Sequence, residues 1–357
     1  MLFGPEEGFQ AKGQRWITRS CPFFLCYTEM IQSRLSFACI RSLLRIMGSI
    51  ACLGSKRMSW HHAFELMCFL IVGIMLAEIF FSRARNDLFL FLTAALICYI
   101  CETAVVSLTD LYHYRPDFWL SIGFPPDAIP LFVGLIWGGL TVQCLRLAQK
   151  LHLKWAWTAL MTGFFIVTTE LFLDVVAMRL AGGFLVWEGR EISLKIDQHA
   201  FMGVIWIRFF GCMAETFAVA YLTLEKRRRV NENDWKGQRK ALGKITGCVL
   251  LITGVISLLG HWLNRVTNDC FSVTLFFLLW CLCLIHLVQD LLRDSPKPSL
   301  KALTFRKVSG MLFWSVIYLY SLLGILSLGI ARVYPVYLLM GVAAYLVSLL
   351  LCLAGKD

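Results

Sequence analysis

Four ionisable residues lie inside two otherwise apolar stretches of this chain: Glu170 and Asp174 in the first, Arg208 and Glu215 in the next. On insertion scales such residues cost roughly 2.5–3.5 kcal/mol each at the middle of a membrane, so a chain that keeps four of them close together marks a candidate working site. Glu170 and Asp174 are four residues apart and therefore neighbours on one helix face. Two carboxyls that close resist ionising together, and one of them is expected to keep its proton at neutral pH. The chemistry open to such a pair is proton donation in a dry environment. Arg208, Gly211, Cys212 and Glu215 follow the i, i+3, i+4, i+7 spacing of one face, small or polar throughout. That face is predicted to meet another helix, with Arg208 reaching a carboxylate. A packing network that only fixes helix register would use the same residue types.

These side chains need rigid elements to hold them, and the composition specifies which. Of 357 residues 58% are hydrophobic and only 16% charged, with a mean hydropathy of +0.69, which leaves too few polar residues to coat a soluble globule. Apolar runs near 20 residues recur from Trp60 onward, each long enough to cross about 30 Å at 1.5 Å per residue. Nine are predicted, over 61–81, 88–108, 128–148, 153–178, 200–224, 245–262, 271–292, 309–331 and 335–354. Only helices satisfy their own backbone groups in lipid without closing a barrel, and alternating ten-residue strands are absent. The expected fold is an all-α, polytopic integral membrane bundle of about nine helices, residues 58–357. Residues 1–57 carry eight Lys and Arg and a weak apolar run interrupted by Arg41 and Arg45. This basic extension is read as peripheral, or as preceding a true start near Met58.

Loops after the odd spans, with the C-terminus, hold 19 Lys and Arg against 6 after the even spans, so the first set is predicted cytoplasmic in a multi-pass protein of the cell membrane. Glu102, Glu170 and Arg208 then fall about six to eight residues from the external ends, roughly 9–12 Å deep. The net charge of +11 belongs to these short loops and points to anionic membrane lipids rather than nucleic acid. Most of the fourteen cysteines sit within spans as reduced apolar residues, the Cys98/Cys101 pair included. Glu78, His261, His286 and Asp290 lie near span ends, where they are expected to snorkel. Gly134 and Gly138 form a G-x-x-x-G, a signal of close helix contact. Asp290 and Asp294 repeat one aspartate motif of intramembrane prenyltransferases, but its asparagine-aspartate-rich partner motif has no counterpart here. No histidine box, P-loop, G-x-S-x-G or G-x-G-x-x-G is found, and no cofactor or metal is expected.

Over spans 2 to 5 the chain resembles the carotenoid biosynthesis membrane protein family, which includes bisanhydrobacterioruberin-type hydratases. The residues that carry the resemblance are Glu102, YHYRP from Tyr112 to Pro116, and GFPPDAIPLFVGLIW from Gly123 to Trp137. Then follow ELFLDVVAMRL from Glu170 to Leu180, Trp187 with Glu188, and GVIWIRFFG from Gly203 to Gly211. Ile205 stands where the family has proline and Arg208 where it has asparagine. The resemblance implies acid-catalysed hydration or cyclisation of a polyene C=C bond, a redox-neutral reaction on a lipophilic substrate. Glu170 or Asp174 would donate the proton, and Glu102 would hold water or recover a proton. Glu215 would line the substrate site with Tyr112, Tyr114, Trp119 and Trp137, whose rings would wall a carbocation. The alternative reading is a transporter or lipid-binding protein in which Arg208 and the acids bind an ion or an anionic head group. Oligomeric state is not legible.

Overall fold

The computed structural model describes residues 59–109, 112–180, 183–187, 192–231, 234–293 and 303–354. The basic extension over 1–57, Glu188 of the family resemblance and Asp294 of the aspartate pair lie outside the described residues. Among those described, nine helices are long and apolar enough to cross a membrane. They are α1 Trp60–Phe81, α2 Arg85–Leu108, α3 Leu131–Ala148, α4 Trp155–Ala177, α5 Trp206–Arg229, α6 Trp235–Thr267, α7 Cys270–Arg293, α8 Phe305–Ser327 and α10 Pro335–Leu353, with the single turn α9 Ile330–Val333 between the last two.

Helix ends follow local chemistry. Ser59 and Thr304 cap α1 and α8 by accepting from His62 N and Lys307 N, and Asp234 caps α6 by accepting from Gly237 N. Asp87 stands in the first turn of α2 and Lys226 to Arg229 in the last turn of α5, each opposite in sign to the local end of the helix dipole. α6 starts ten residues before its predicted span because the Lys-rich segment from residue 235 stays helical.

The described residues form the expected all-α bundle, and its loops add short extended segments. Three two-stranded antiparallel ribbons occur in the loops at one end of the bundle: β1 Tyr112–Tyr114 with β4 Leu185–Trp187, β2 Ser121–Ile122 with β3 Ile129–Pro130, and β5 Ala200–Phe201 with β6 Val204–Ile205. The last is a tight hairpin turned by Met202 and Gly203, both at positive φ (48° and 84°), as a two-residue turn of this hand requires. It takes up the residues that were expected to begin the fifth span, so α5 starts at Trp206.

α4 is the axis of the bundle. Its apolar stretch is 94% buried, against 17% for α6 and 22% for α7, and it packs on α3, α5, α7, α8 and α10. The outer helices carry the exposed apolar surface, Leu251, Leu258 and Trp262 on α6 and Leu278 and Ile285 on α7 among it, as a lipid-facing ring does. Glycines set the closest approaches. A Cβ on Gly163 of α4 would come within 2.7 Å of Met213 O on α5, and one on Gly138 of α3 within 2.7 Å of Phe91 O on α2. Gly134 seats the ring of Tyr99, whose hydroxyl donates to Leu131 O. The G-x-x-x-G is thus a helix contact. Gly138→Val should push α3 off α2 and cost about 1–3 kcal/mol, read as a lower thermal midpoint in micelles. Gly73→Ala, with nothing within 4 Å of its Cβ, should leave the midpoint unchanged or higher.

Candidate functional site

Arg208 lies in the first turn of α5 and turns back toward the ends of α2 and α4. Its Nε donates to Asp174 Oδ2 at 2.7 Å, and its Nη1 donates to the Tyr112 hydroxyl at 3.2 Å and lies 3.7 Å from Glu102 Oε1. Glu102 Oε2 in turn accepts from the Tyr112 and Tyr114 hydroxyls at 2.7 and 2.8 Å. The guanidinium carbon also stands 5.5 Å from the Tyr112 ring centroid. Five of the nine expected residues therefore share one hydrogen-bonded network drawn from α2, α4, α5 and β1.

The depth of the site is shallower than expected. Because residues 200–205 form a hairpin, Arg208 is two residues inside its helix rather than eight. Asp174 is three residues from the end of α4 and Glu102 six from the end of α2, so the network sits roughly 3–9 Å inside the helix ends. The β1–β4 ribbon covers it.

Glu170 and Glu215 flank the network on the inner side, 3% and 8% exposed. The Glu170 carboxyl faces the Cys212 thiol and its Oε2 has no hydrogen-bond partner; the Glu215 carboxyl faces Cys101 and its Oε1 has none either. Gly211 was expected to belong to a close-packed face, but a Cβ there would meet nothing within 4 Å. The close approach between α4 and α5 is made at Gly163 instead, and the Gly211 position opens on unfilled space beside Arg208 and Cys212. Four carboxyls and one guanidinium are thus gathered at this pole, and the Gly211 position on the Arg208–Glu215 face of α5 is open.

Two of the expected aromatic walls are elsewhere. Trp119 is half exposed and stacks on His62, with centroids 4.8 Å apart, and Trp137 is half-buried against the hydrophobic core on α3. Tyr112 and Tyr114 are in place, but their hydroxyls and the Tyr112 face are already engaged with Glu102 and Arg208, which makes them positioning residues. Burial, and then the neighbouring Glu102, pushes both phenols well above the usual range, so they remain donors.

Several charged groups, at this pole and at the other, had no sequence signal beyond lying near span ends. Glu65 is wholly buried in α1 and accepts Trp119 N and Leu120 N at 3.0 and 3.1 Å, holding the loop before β2. Arg179 donates to Val175 O, Ser193 O and Met202 O, which ties the loop before β5 to the end of α4. Glu78, expected to snorkel, is 1% exposed and paired with Arg146 at 2.7 Å, because a partner on α3 makes burial cheaper than reaching for water.

A separate apolar cavity of about 350 Å³ opens between α4, α7 and α10, walled by Leu171, Phe172, Trp206, Phe276, Trp280 and Tyr337 among others; none of the four acids lines it. Comparison of the chain with family models, with curated proteins and with solved structures finds no match.

The two phenols set an alkaline limit. In the unfolded chain they ionise near pH 10, while in the fold they do not, so their contribution is complete below about pH 10 and is lost as pH rises further. An alkaline stability titration should show a falling limb that becomes shallower in Tyr114→Phe.

Proposed function

We propose that the chain is an integral membrane enzyme, of the cell membrane, that modifies a lipophilic polyene by protonating a C=C bond, as its resemblance to the carotenoid-modifying family implies. The observation that carries this reading is the imbalance of the site: four carboxyls, three of them buried, around one guanidinium, with unpartnered oxygens on Glu170 and Glu215 and open space at Gly211 on the same face of α5 as Glu215. Asp174 is the carboxylate that neutralises Arg208. Glu170, which has no cation of its own, is the acid that carries the proton. Transfer of that proton to one carbon of the double bond leaves a carbocation on the other. Capture by water, with its proton passing to Glu215, gives an alcohol; attack by a second double bond followed by proton loss to the same carboxylate gives a ring. Either route returns one proton to the cluster and is redox-neutral. Glu102, with both oxygens engaged, holds Tyr112, Tyr114 and Arg208 in place.

One observation favours the second reading, a lipid-binding or transport protein. The aromatic-walled cavity between α4, α7 and α10 suits a hydrocarbon chain and involves no acid.

Expression in a polyene-producing host separates the two. An enzyme yields a pigment heavier by one water, or one of equal mass with a shifted absorption spectrum. Glu170→Gln should lower product by about 10²–10⁴-fold, the usual worth of general acid catalysis, with folding preserved. Gly211→Leu should fill the gap and abolish product without loss of stability, since leucine is also the better helix former. Unchanged product in both variants, or none from the parent protein, overturns the enzymatic reading.

A further inference from the structure

The opposite end of the bundle is built around a different charge balance. Asp87, at the start of α2, receives Arg146 of α3 through Nε and Nη2 at 3.0 and 2.9 Å, Arg227 of α5 at 2.9 Å and Arg306 of α8 at 3.5 Å. Glu78 of α1 takes the remaining arm of Arg146. Lys226 adds a further cation, bonded to Asn86 and set 3.8 Å over the Phe89 ring. Two carboxylates therefore face several more cations, the reverse of the acid-rich pole.

A cavity of about 220 Å³ opens on the basic side of this network, between α3, α8 and α10. Arg146, Lys150, Arg306 and Lys307 line it, and no carboxylate does. Lys307 is 4% exposed, yet no acid pairs with it among the described residues. Gln143, also in the lining, is 2% exposed and its Nε2 has no hydrogen-bond partner. The Gln143 amide, buried without an acceptor, carries a desolvation penalty that an anion in the cavity would remove, and the Lys307 ammonium adds a positive charge to the same lining. Phosphate oxygens satisfy both, and guanidinium groups recognise them by charge-assisted hydrogen bonds.

We propose that this cavity binds a phosphate group, with Lys307 and Gln143 as its buried donors and Arg306 and Lys150 at its mouth. The group is carried either by a free phosphate or diphosphate or by the head of an anionic phospholipid. The site is about one membrane thickness from the acid cluster and does not depend on what that cluster does.

The test uses the full chain, purified in neutral detergent and stripped of lipid. Its thermal midpoint is followed against inorganic phosphate and pyrophosphate with ionic strength held constant by chloride, and separately in phosphatidylcholine nanodiscs with and without phosphatidylglycerol. Saturable stabilisation by pyrophosphate identifies a soluble ligand, and stabilisation by phosphatidylglycerol alone identifies a head group. Lys307→Gln and Gln143→Leu should each weaken that response about tenfold or more. Neither should lower the midpoint of the unliganded protein, since neither removes a side-chain hydrogen bond or ion pair seen among the described residues; Gln143→Leu, which leaves every charge in place, keeps the test valid should Lys307→Gln fold poorly. No saturable response to any of the three, or an equal response in parent and variants, overturns the proposal.

Discussion

The ends of three core helices at one pole depend on where the Arg208 guanidinium finds its counter-charges. Arg208 belongs to α5, Asp174 to α4 and Glu102 to α2, so one side chain fixes three helix ends, and Tyr112 and Tyr114 hang the β1 ribbon from the same carboxylate. Burying such groups is expensive, and a buried pair is weak as a source of net stability. Breaking one is costly, typically about 3–5 kcal/mol, because the charge left behind has no partner. The network therefore works as a constraint. Once α5 enters with Arg208 facing inward, α2 and α4 have only one register that satisfies it.

The other pole repeats the device with the signs exchanged. There Asp87 is the single acceptor on which Arg146, Arg227 and Arg306 converge. Between the poles the contacts are apolar and close, with Gly163 and Gly138 letting backbones approach where side chains would hold them apart. Van der Waals packing supplies the cohesion that water would otherwise drive, and the polar ends supply direction. α6 and α7 leave most of their surface outward, consistent with their place as the outer layer.

Much of this arrangement was legible in the residues. Hydropathy alone places all nine long helices, because twenty apolar residues in a row have few other uses. Counting inward from the helix ends puts Glu102, Glu170 and Arg208 on one level, whereas the carboxylate that Arg208 meets is Asp174, one turn nearer the end of α4. What failed was local. No periodicity marks residues 200–205 as a hairpin, since Val204, Ile205 and Trp206 read equally well as the start of an apolar helix; the depth of Arg208 was overestimated accordingly. Trp119 was expected to help wall a carbocation, whereas Glu65, fifty-four residues upstream, captures its backbone N–H and its ring stacks on His62. Glu78 reads as a span-end charge because a single sequence does not reveal which distant arginine comes to meet it.

The acid-rich pole has more carboxyls than its constraint requires. One guanidinium is matched by Asp174 alone, and Glu102 with its two tyrosines already completes the clamp on β1. Glu170 and Glu215 each face only a thiol on the neighbouring helix, Cys212 and Cys101, and both are buried with an unpartnered oxygen, a condition that costs about 1–3 kcal/mol for each group. An apolar residue of similar size at either position would remove that cost and leave the register device intact. Glu215 shares its helix face with Gly211, where a Cβ would meet nothing within 4 Å, and Glu170 faces Cys212 on that same face. A site that must hold a proton and then deliver it has a use for both.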